Sequence, residues 1–151
     1  MNKQNPFAEW NSTAKDYPVD QCLHQLVEQQ VGRTPEAVAV VFGGESLTYR
    51  ELNARANQLA HHLRTLGVGP DSLVGVCAER SLEMVVGLLG TLKAGGAYVP
   101  LDPEYPKDRL AFMMQDADVP VLLTQERLTA SLPAHAWCGI AGSSRWFQPG
   151  Q

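Results

Sequence analysis

The sequence predicts an α/β fold with a mainly parallel sheet, helices flanking it and a small hairpin before it. From residue 73 on, short apolar runs alternate with helical patterns in the order strand, helix, strand, helix, strand. That order is typical of parallel sheets with right-handed crossovers. The run at 73–77 is apolar throughout, which favours a strand covered on both faces. Gly43 and Gly44 lie between two short apolar runs and predict a tight turn.

The first 20 residues are interpreted as a connector. They are polar, contain two prolines and show no sustained period. Trp10 and Tyr17 are large groups in this polar stretch, and we expect them to dock onto another surface.

A helix is predicted at 21–31, where apolar positions recur along one stripe. Gly32 and Pro35 are expected to end it. The apolar run at 37–42 and the short run at 46–47 then supply the two strands of the hairpin.

The clearest helix begins at Thr48. Thr48 and Glu51 have the spacing of a capping box, in which each side chain bonds the backbone N–H of the other residue. Leu47 and Leu52 lie where a hydrophobic staple would place them. Gly67 is expected to end the helix.

After the strand at 73–77, Ser81 is the expected cap of a helix that is apolar nearly all round and therefore buried on most sides. Gly87 and Gly90 lie three residues apart and would allow a neighbour to approach closely. Gly95 and Gly96 should end this helix.

A short strand is predicted at 97–99, followed by a loop with three prolines. Pro106 fits the first position of the next helix, whose buried face would comprise Leu110, Met113, Met114 and Ala117. A strand at 121–123 and a short helix at 128–132 complete the pattern.

Composition excludes several classes of protein. The chain of 151 residues is 44% hydrophobic and 19% charged, as in soluble globular domains. Its net charge of −4 argues against a nucleic-acid partner. The most apolar stretch, 82–92, is too short to span a bilayer, so no membrane association is expected. Three widely spaced cysteines and no secretory signal favour a reduced, cytoplasmic protein.

The character of the chain changes after Pro133. Residues 134–151 contain two of the three tryptophans and show neither a helical nor a strand period. A βαβ pattern should continue here into a further helix and strand. We therefore interpret this segment as an atypical tail, either frameshifted or disordered, and a phosphate-loop sequence in another frame of the downstream DNA would support the frameshift.

Two segments resemble core motifs of the amino-acid-adenylating domains of non-ribosomal peptide synthetases. Residues 47–52 (LTYREL) resemble the first motif, and residues 92–106 (LKAGGAYVPLDPEYP) closely resemble the second. Residues 9–30 resemble the connector that follows an upstream condensation domain. The resemblance covers about residues 9–133 and implies an incomplete N-terminal portion of an adenylate-forming, acyl-CoA synthetase-like fold.

The resemblance thus divides the chain into three parts. Residues 1–20 resemble a condensation-to-adenylation linker, and residues 21–133 resemble the N-terminal part of an adenylation (AMP-binding) domain. Residues 134–151 resemble nothing in that family.

The family activates an amino acid with ATP and magnesium, releases pyrophosphate and passes the aminoacyl group to a carrier-protein phosphopantetheine thiol. The resemblance therefore implies three partners in the synthesis of secondary metabolites: the remainder of the domain, a carrier protein and a condensation domain. The family's phosphate loop, nucleotide-binding set and catalytic lysine have no counterpart in this sequence, because residues 142–144 (GSS) lack the loop's length and its following Gly-x-Pro-Lys. We assign no catalytic, cofactor-binding or metal residue, and expect a truncated domain that is inactive alone.

Two positions near predicted strand and helix ends are candidates for binding sites. Gly95 and Gly96 follow a helix, whereas phosphates bind where a helix begins, so a helix stop is favoured. Glu79 and Arg80 follow a parallel strand, at the edge where open α/β sheets place ligands. A surface charge pair at the entry to a helix remains the alternative interpretation.

Isolated carboxylates and histidines favour structural roles. Asp102 lies in a proline-rich loop, where an aspartate often bonds its own backbone. Glu104 and Asp108 have no further ligand at metal-binding spacing. His61 and His62 project about 100° apart on a helix and are expected to be solvated.

Sulfur-containing residues also lack a site pattern. His135 and Cys138 have one zinc-like spacing but no second pair. Cys77 ends a predicted strand and is interpreted as a small buried apolar group. Met113 and Met114 are interpreted as core or near-core residues.

Two functions of other classes remain open at this stage. An unfinished sheet would present open strand groups, as expected for a non-catalytic interaction module or for a split half that pairs with a separate C-terminal portion. A dinucleotide-dependent oxidoreductase is disfavoured, because no glycine fingerprint follows the strand at 73–77.

Overall fold

The computed structural model describes residues 13–133, 138–140 and 146–147, the last two segments as backbone only. The helices are α1 (Leu23–Arg33), α2 (Tyr49–Thr65), α3 (Leu82–Ala94) and α4 (Lys107–Asp116), with a 3₁₀ helix at Glu126–Ser131. The strands are β1 (Val38–Phe42), β2 (Glu45–Thr48), β3 (Leu73–Cys77), β4 (Ala97–Pro100), β5 (Val121–Thr124), β6 (Cys138–Ile140) and β7 (Trp146–Phe147).

The described strands form a two-stranded hairpin and a separate sheet in the order β4-β3-β5-β6-β7. Strand β3 pairs in parallel with both β4 and β5, and β5 pairs in parallel with β6. Only the β6–β7 pair of this sheet is antiparallel. The predicted fold class, a mainly parallel sheet flanked by helices with a hairpin before it, is confirmed.

Alternate residues of the central strands point to opposite layers, as the two-residue period of a strand requires. Val74, Val76 and Leu123 belong to one buried cluster, which they share with residues of α2 and α3. Leu122 belongs to a second cluster with Leu110 and other residues on the α4 side. The sheet is therefore covered on both faces, which explains why its central strands are almost wholly apolar.

Helices α2 and α3 pack closely at one glycine. A Cβ atom added to Gly90 would lie 2.6 Å from Cδ2 and 3.0 Å from Cβ of Leu59. Leu59 on α2 is fully buried, so its side chain occupies the space that the missing Cβ leaves. The close approach predicted for Gly90 is confirmed.

The hairpin and the start of α2 follow the local signals. Gly43 and Gly44 have φ of 59° and 86°, the positive values that a type I′ turn needs at both central positions. The N–H of Glu51 donates to Oγ1 of Thr48 over 3.2 Å, and the N–H of Thr48 donates to Oε2 of Glu51 over 2.8 Å. The bond from the Thr48 N–H lowers the pKa of the Glu51 carboxyl most, and the Thr48 hydroxyl, which donates to the same Oε2 over 3.0 Å, lowers it further.

Several boundaries differ from the predictions. Helix α1 starts at Leu23, runs through Gly32 and ends at Arg33, ahead of Pro35. Pro106 precedes α4 as its N-cap, although the sequence predicts it at the first helical position. The predicted short helix at 128–132 is a 3₁₀ helix that starts two residues earlier, at Glu126.

Strands β6 and β7 fall within residues 134–151, where the sequence shows no strand period. Strand β6 extends the parallel sheet beside β5 with a register of Leu123 to Cys138. Three- and two-residue strands are too short to show an alternating pattern in sequence.

None of the helices among the described residues is long and apolar enough to cross a membrane.

Candidate functional site

A cleft of about 500 Å³ lies at the carboxyl ends of β3 and β5. Open α/β sheets place their ligands at this edge. The cleft is lined by residues that follow the two strands, together with one hairpin residue: Phe42, Arg80, Ser81, Glu83, Gln125, Glu126 and Arg127. Of the two residues that sequence analysis placed at this edge, Arg80 lines the cleft.

Gln125 connects the segments that form this edge. Its side chain is buried, its Oε1 accepts from the N–H of Glu79 over 3.0 Å, and its Nε2 donates to Oγ of Ser81 over 3.1 Å. The Ser81 hydroxyl in turn accepts from the N–H of Met84 over 3.1 Å and caps α3, as predicted. One buried amide therefore connects the end of β5 to the loop after β3 and to the start of α3.

Charges of both signs surround the cleft. Arg127 forms a 2.5 Å ion pair with Glu79, and its guanidinium also donates to Oε1 of Gln125 over 3.3 Å. Both charged side chains are at least half exposed, so the ion pair adds little stability. The partner of Glu79 is therefore Arg127, from the 3₁₀ helix after β5, and the pair crosses the edge between the two strands.

The last residues of β3 and β5, which precede the residues at the cleft, have buried side chains. Thr124 and Cys77 are register partners, and both are fully buried. Oγ1 of Thr124 has no hydrogen-bond partner among the described residues. Burial raises the pKa of the Cys77 thiol to about 11, and the negative charge of Asp102 adds to the effect. Cys77 is thus a neutral, apolar core group at neutral pH, as predicted.

The Cys77 thiol should make stability fall at alkaline pH. Its pKa rises from 9.0 to about 11 on folding, so its stabilising effect is complete below pH 9 and is lost as the pH approaches 11. Urea unfolding between these pH values should show a larger loss of unfolding free energy for the native chain than for Cys77→Ala. The exposed Cys22 provides the matched control, since Cys22→Ala should keep the native slope. Parallel curves for the native chain and Cys77→Ala would contradict this role of the thiol.

The other residues considered from sequence have structural positions. Gly95 caps the C-terminus of α3 with φ of 97°, the left-handed conformation expected of a helix stop. Oδ1 of Asp102 accepts from the N–H of Glu104 over 2.9 Å, which is the local loop bond predicted for it. Met114 is buried and Met113 packs against the same cluster, as predicted.

The two adjacent histidines differ from each other. His61 is exposed, as expected. His62 is half-buried, and its Nε2 is shielded from solvent with no hydrogen-bond partner among the described residues. The prediction that both rings are solvated is therefore wrong for His62, which lies on the same side of α2 as the fully buried Leu59, three residues earlier.

Two interpretations fall on parts of the chain that the structure does not cover. His135 and residues 142–144 lie outside the described residues, and Cys138 is described only as backbone of β6.

Sequence analysis missed Gln125 and Arg127 at this edge. The available signal was positional: a polar residue, Gln125, directly follows the apolar strand at 121–123 and Thr124. Polar residues just after a parallel strand lie at the ligand edge of such sheets.

Comparison with known proteins gives one family and close relatives. The sequence model of the family described as "AMP-binding enzyme" matches residues 27–144, which extends into the predicted tail. Tyrocidine synthase 3 of Brevibacillus parabrevis is 55% identical over 126 residues, which are 83% of this chain and 2% of that protein. Malpinin synthetase of Mortierella alpina is 61% identical over 117 residues, 78% of this chain and 2% of that protein. The chain thus spans a very small part of these curated relatives.

Solved structures agree. The AMPPNP-bound form of the nonribosomal peptide synthetase FmoA3 matches with a TM-score of 0.79 and 39% identity, over 90% of this chain and 15% of that one. The N-terminal subdomain of Klebsiella oxytoca NpsA matches with a TM-score of 0.70 and 25% identity, over 80% of this chain and 31% of that one. These matches confirm the resemblance found in residues 47–52 and 92–106. The chain belongs to the AMP-binding enzyme family, as part of a nonribosomal peptide synthetase adenylation domain.

Proposed function

We propose that this chain supplies scaffold, without catalytic residues, to the N-terminal part of an amino-acid-activating domain. The complete domain would form an aminoacyl adenylate from ATP and an amino acid, and would load the aminoacyl group onto the phosphopantetheine thiol of a carrier protein. The observation that supports this most is the family match over residues 27–144 in a sequence that contains no phosphate loop.

The positions of the second motif residues support a scaffold role. Lys93 to Gly95 end α3, where Arg64 donates to the carbonyl oxygens of Lys93 and Ala94 over 2.5 and 3.4 Å. A guanidinium at a helix C-terminus satisfies carbonyls that have no partner within the helix. Leu101, later in the motif, is buried against the α4 side of the sheet. These residues therefore stabilise the α/β unit, and none of them lines the cleft.

Magnesium is not assigned to this part of the domain. Among residues 13–133 and the two short strands, no group of three or more His, Cys, Asp or Glu side chains is arranged to hold a metal ion. We therefore derive no catalytic step through a metal at these residues.

The assay for this proposal is amino-acid-dependent exchange between ATP and pyrophosphate. The 151-residue chain alone should give no exchange with any of the proteinogenic amino acids, because backbone amides and cations must hold the phosphates during adenylation. A complete adenylation domain from tyrocidine synthase 3 serves as the positive control. Exchange by the isolated chain would contradict the proposed scaffold role.

A chimaera tests the scaffold role directly. Residues 21–133 would replace the matching segment of the control domain, and exchange with the control's own amino acid should persist. A folded chimaera with a changed amino-acid preference would show that these residues select the substrate. A folded chimaera without exchange would show that they contribute to the chemistry.

One observation counts against the alternative that the chain is an interaction module that pairs through the β4 edge of its sheet. Strand β4 borders the described sheet, and the N–H groups of Ala97 and Leu101 bond to β3 and the residue before it over 2.9 Å. Because the backbone groups of a parallel strand alternate in direction, those of Tyr98 and Pro100 point away from β3, towards the open edge of the sheet. Pro100 has no N–H, so β4 offers only the Tyr98 N–H to an added strand.

A further inference from the structure

Helix α1 packs on the rest of the fold without burying any of its own residues. Its apolar stripe is partly uncovered, because Leu23 is 62% and Leu26 is 36% exposed. Val27 packs against the cluster formed by α2 and α3 but is only partly buried. By the usual scale for apolar burial, such a contact holds a helix much less strongly than the core holds α2 and α3.

One charged contact supplements this packing. The ammonium group of Lys93 on α3 forms an ion pair with the carboxylate of Glu28 on α1. The Lys93 side chain is 4% exposed, whereas that of Glu28 is 48% exposed. The pair is therefore asymmetric, since the lysine is almost fully shielded from water in the docked state whereas the glutamate keeps about half of its exposure.

The asymmetry determines what happens when either partner is lost. A buried ammonium without a counter-ion carries a large desolvation cost, so losing Glu28 would penalise the docked state strongly. Losing the Lys93 charge leaves a half-exposed carboxylate that water can still solvate, and an apolar side chain of similar size in its place is often neutral.

Helices α2 and α3, on which α1 packs, are held together by contacts that do not involve α1. Leu59 of α2 packs against Gly90 of α3, and Arg64 of α2 bonds the carbonyls at the end of α3. Helices α2 and α3 therefore remain joined if α1 leaves, and undocking would expose Lys93 to water.

We propose that α1 is a releasable strap, a helix that undocks as a unit from α2 and α3 while the sheet stays folded, with the Glu28–Lys93 pair setting the balance. Residues 13–22, which precede α1, are all exposed and make no buried contact. Movement of the preceding chain would therefore reach the domain through α1. This inference does not depend on the proposed scaffold role in adenylation.

Hydrogen exchange followed by mass spectrometry on the full chain tests the strap. In the native chain, the hydrogen-bonded amides of α1 should exchange at least about tenfold faster than those of α2, as expected for a locally opening unit. Glu28→Gln should accelerate exchange in α1 by a further factor of about ten or more and leave α2 unchanged. Lys93→Met, alone or combined with Glu28→Gln, should change α1 exchange by less than about threefold.

The Glu36–Arg50 pair provides the matched control, because both of its side chains are more than 60% exposed. Glu36→Gln should leave exchange in α1 unchanged. Three results would overturn the proposal: equal protection of α1 and α2 in the native chain, a rise in both helices in Glu28→Gln, or no change in α1 in that variant. Acceleration by Lys93→Met equal to that by Glu28→Gln would overturn the role given to the buried lysine.

Discussion

Gly90→Val should lower the free energy of unfolding by about 3 kcal/mol, at the upper end of the usual cost of overpacking a core. The new side chain would have to occupy space now filled by Leu59, whose Cβ, Cγ and Cδ2 all lie within 3.0 Å of an ideal Cβ at residue 90. The clash includes the Cβ of Leu59 as well as the flexible end of its side chain, so a rotamer change cannot relieve it. Urea unfolding followed by circular dichroism gives the free energy.

Gly32→Val is the matched control for Gly90→Val. Gly32 also lies within a helix, but a Cβ at this position would meet no atom within 4 Å. Valine has a somewhat higher helix propensity than glycine, so this variant should be neutral or slightly stabilising. Leu59→Ala introduced into Gly90→Val should recover part of the loss, because it removes the Cγ and Cδ2 atoms that clash most closely and leaves only the Cβ contact at 3.0 Å. Equal stability of the two valine variants would disprove the packing account.

Leu122→Ala should lower the free energy of unfolding by about 3 kcal/mol, as is usual for removing a fully buried leucine side chain. Leu122 lies in the middle of β5, is fully buried and packs between the sheet and α4. Its Cδ1 would lie 2.8 Å from an ideal Cβ at Gly75 on the neighbouring strand, so leucine and glycine form a large–small pair. The measurement is again urea unfolding, with the midpoint and slope fitted separately.

The pairing supplies a rescue and a control. Gly75→Ala should destabilise the native chain and yet stabilise Leu122→Ala, since the added methyl group enters the space that the leucine vacates. Phe112 on α4 is 66% exposed, and Phe112→Ala should change stability by no more than about 0.5 kcal/mol. If Gly75→Ala had the same effect in both backgrounds, the two residues would not be coupled.

The sequence predicted most of the elements because their signals are local. The Thr48–Glu51 capping box fixes the start of α2, and the two glycines fix the hairpin turn, each within a few residues. Strand β3 was predicted with its observed bounds, because a short apolar run begins directly after Ser72 and gives way to charged residues at Glu79. Gly32 was wrongly predicted to end α1, which continues to Arg33. A glycine within a helix costs only about 1 kcal/mol, and the packing of α1 against α2 outweighs that cost.

The features that the sequence did not reveal are contacts between distant residues. Glu28 and Lys93 are separated by 65 positions, so no local pattern around either residue indicates that the two pair. The Gln125 amide bonds a residue 46 positions earlier, so its role depends on β3 and β5 being adjacent strands. The order of the strands within the sheet was likewise not predicted, because it depends on which distant strands become neighbours.

The central position of β3 has a consequence for synthesis on the ribosome. Strand β3 needs β4 on one side and β5 on the other, yet both emerge after it. Gln125, at the end of β5, follows Glu79, at the end of β3, by 46 residues, which at about 5–20 residues per second is roughly 2–9 seconds of translation. During that interval the nascent chain exposes an apolar strand with an open edge, a state that is prone to aggregation and that a chaperone would protect.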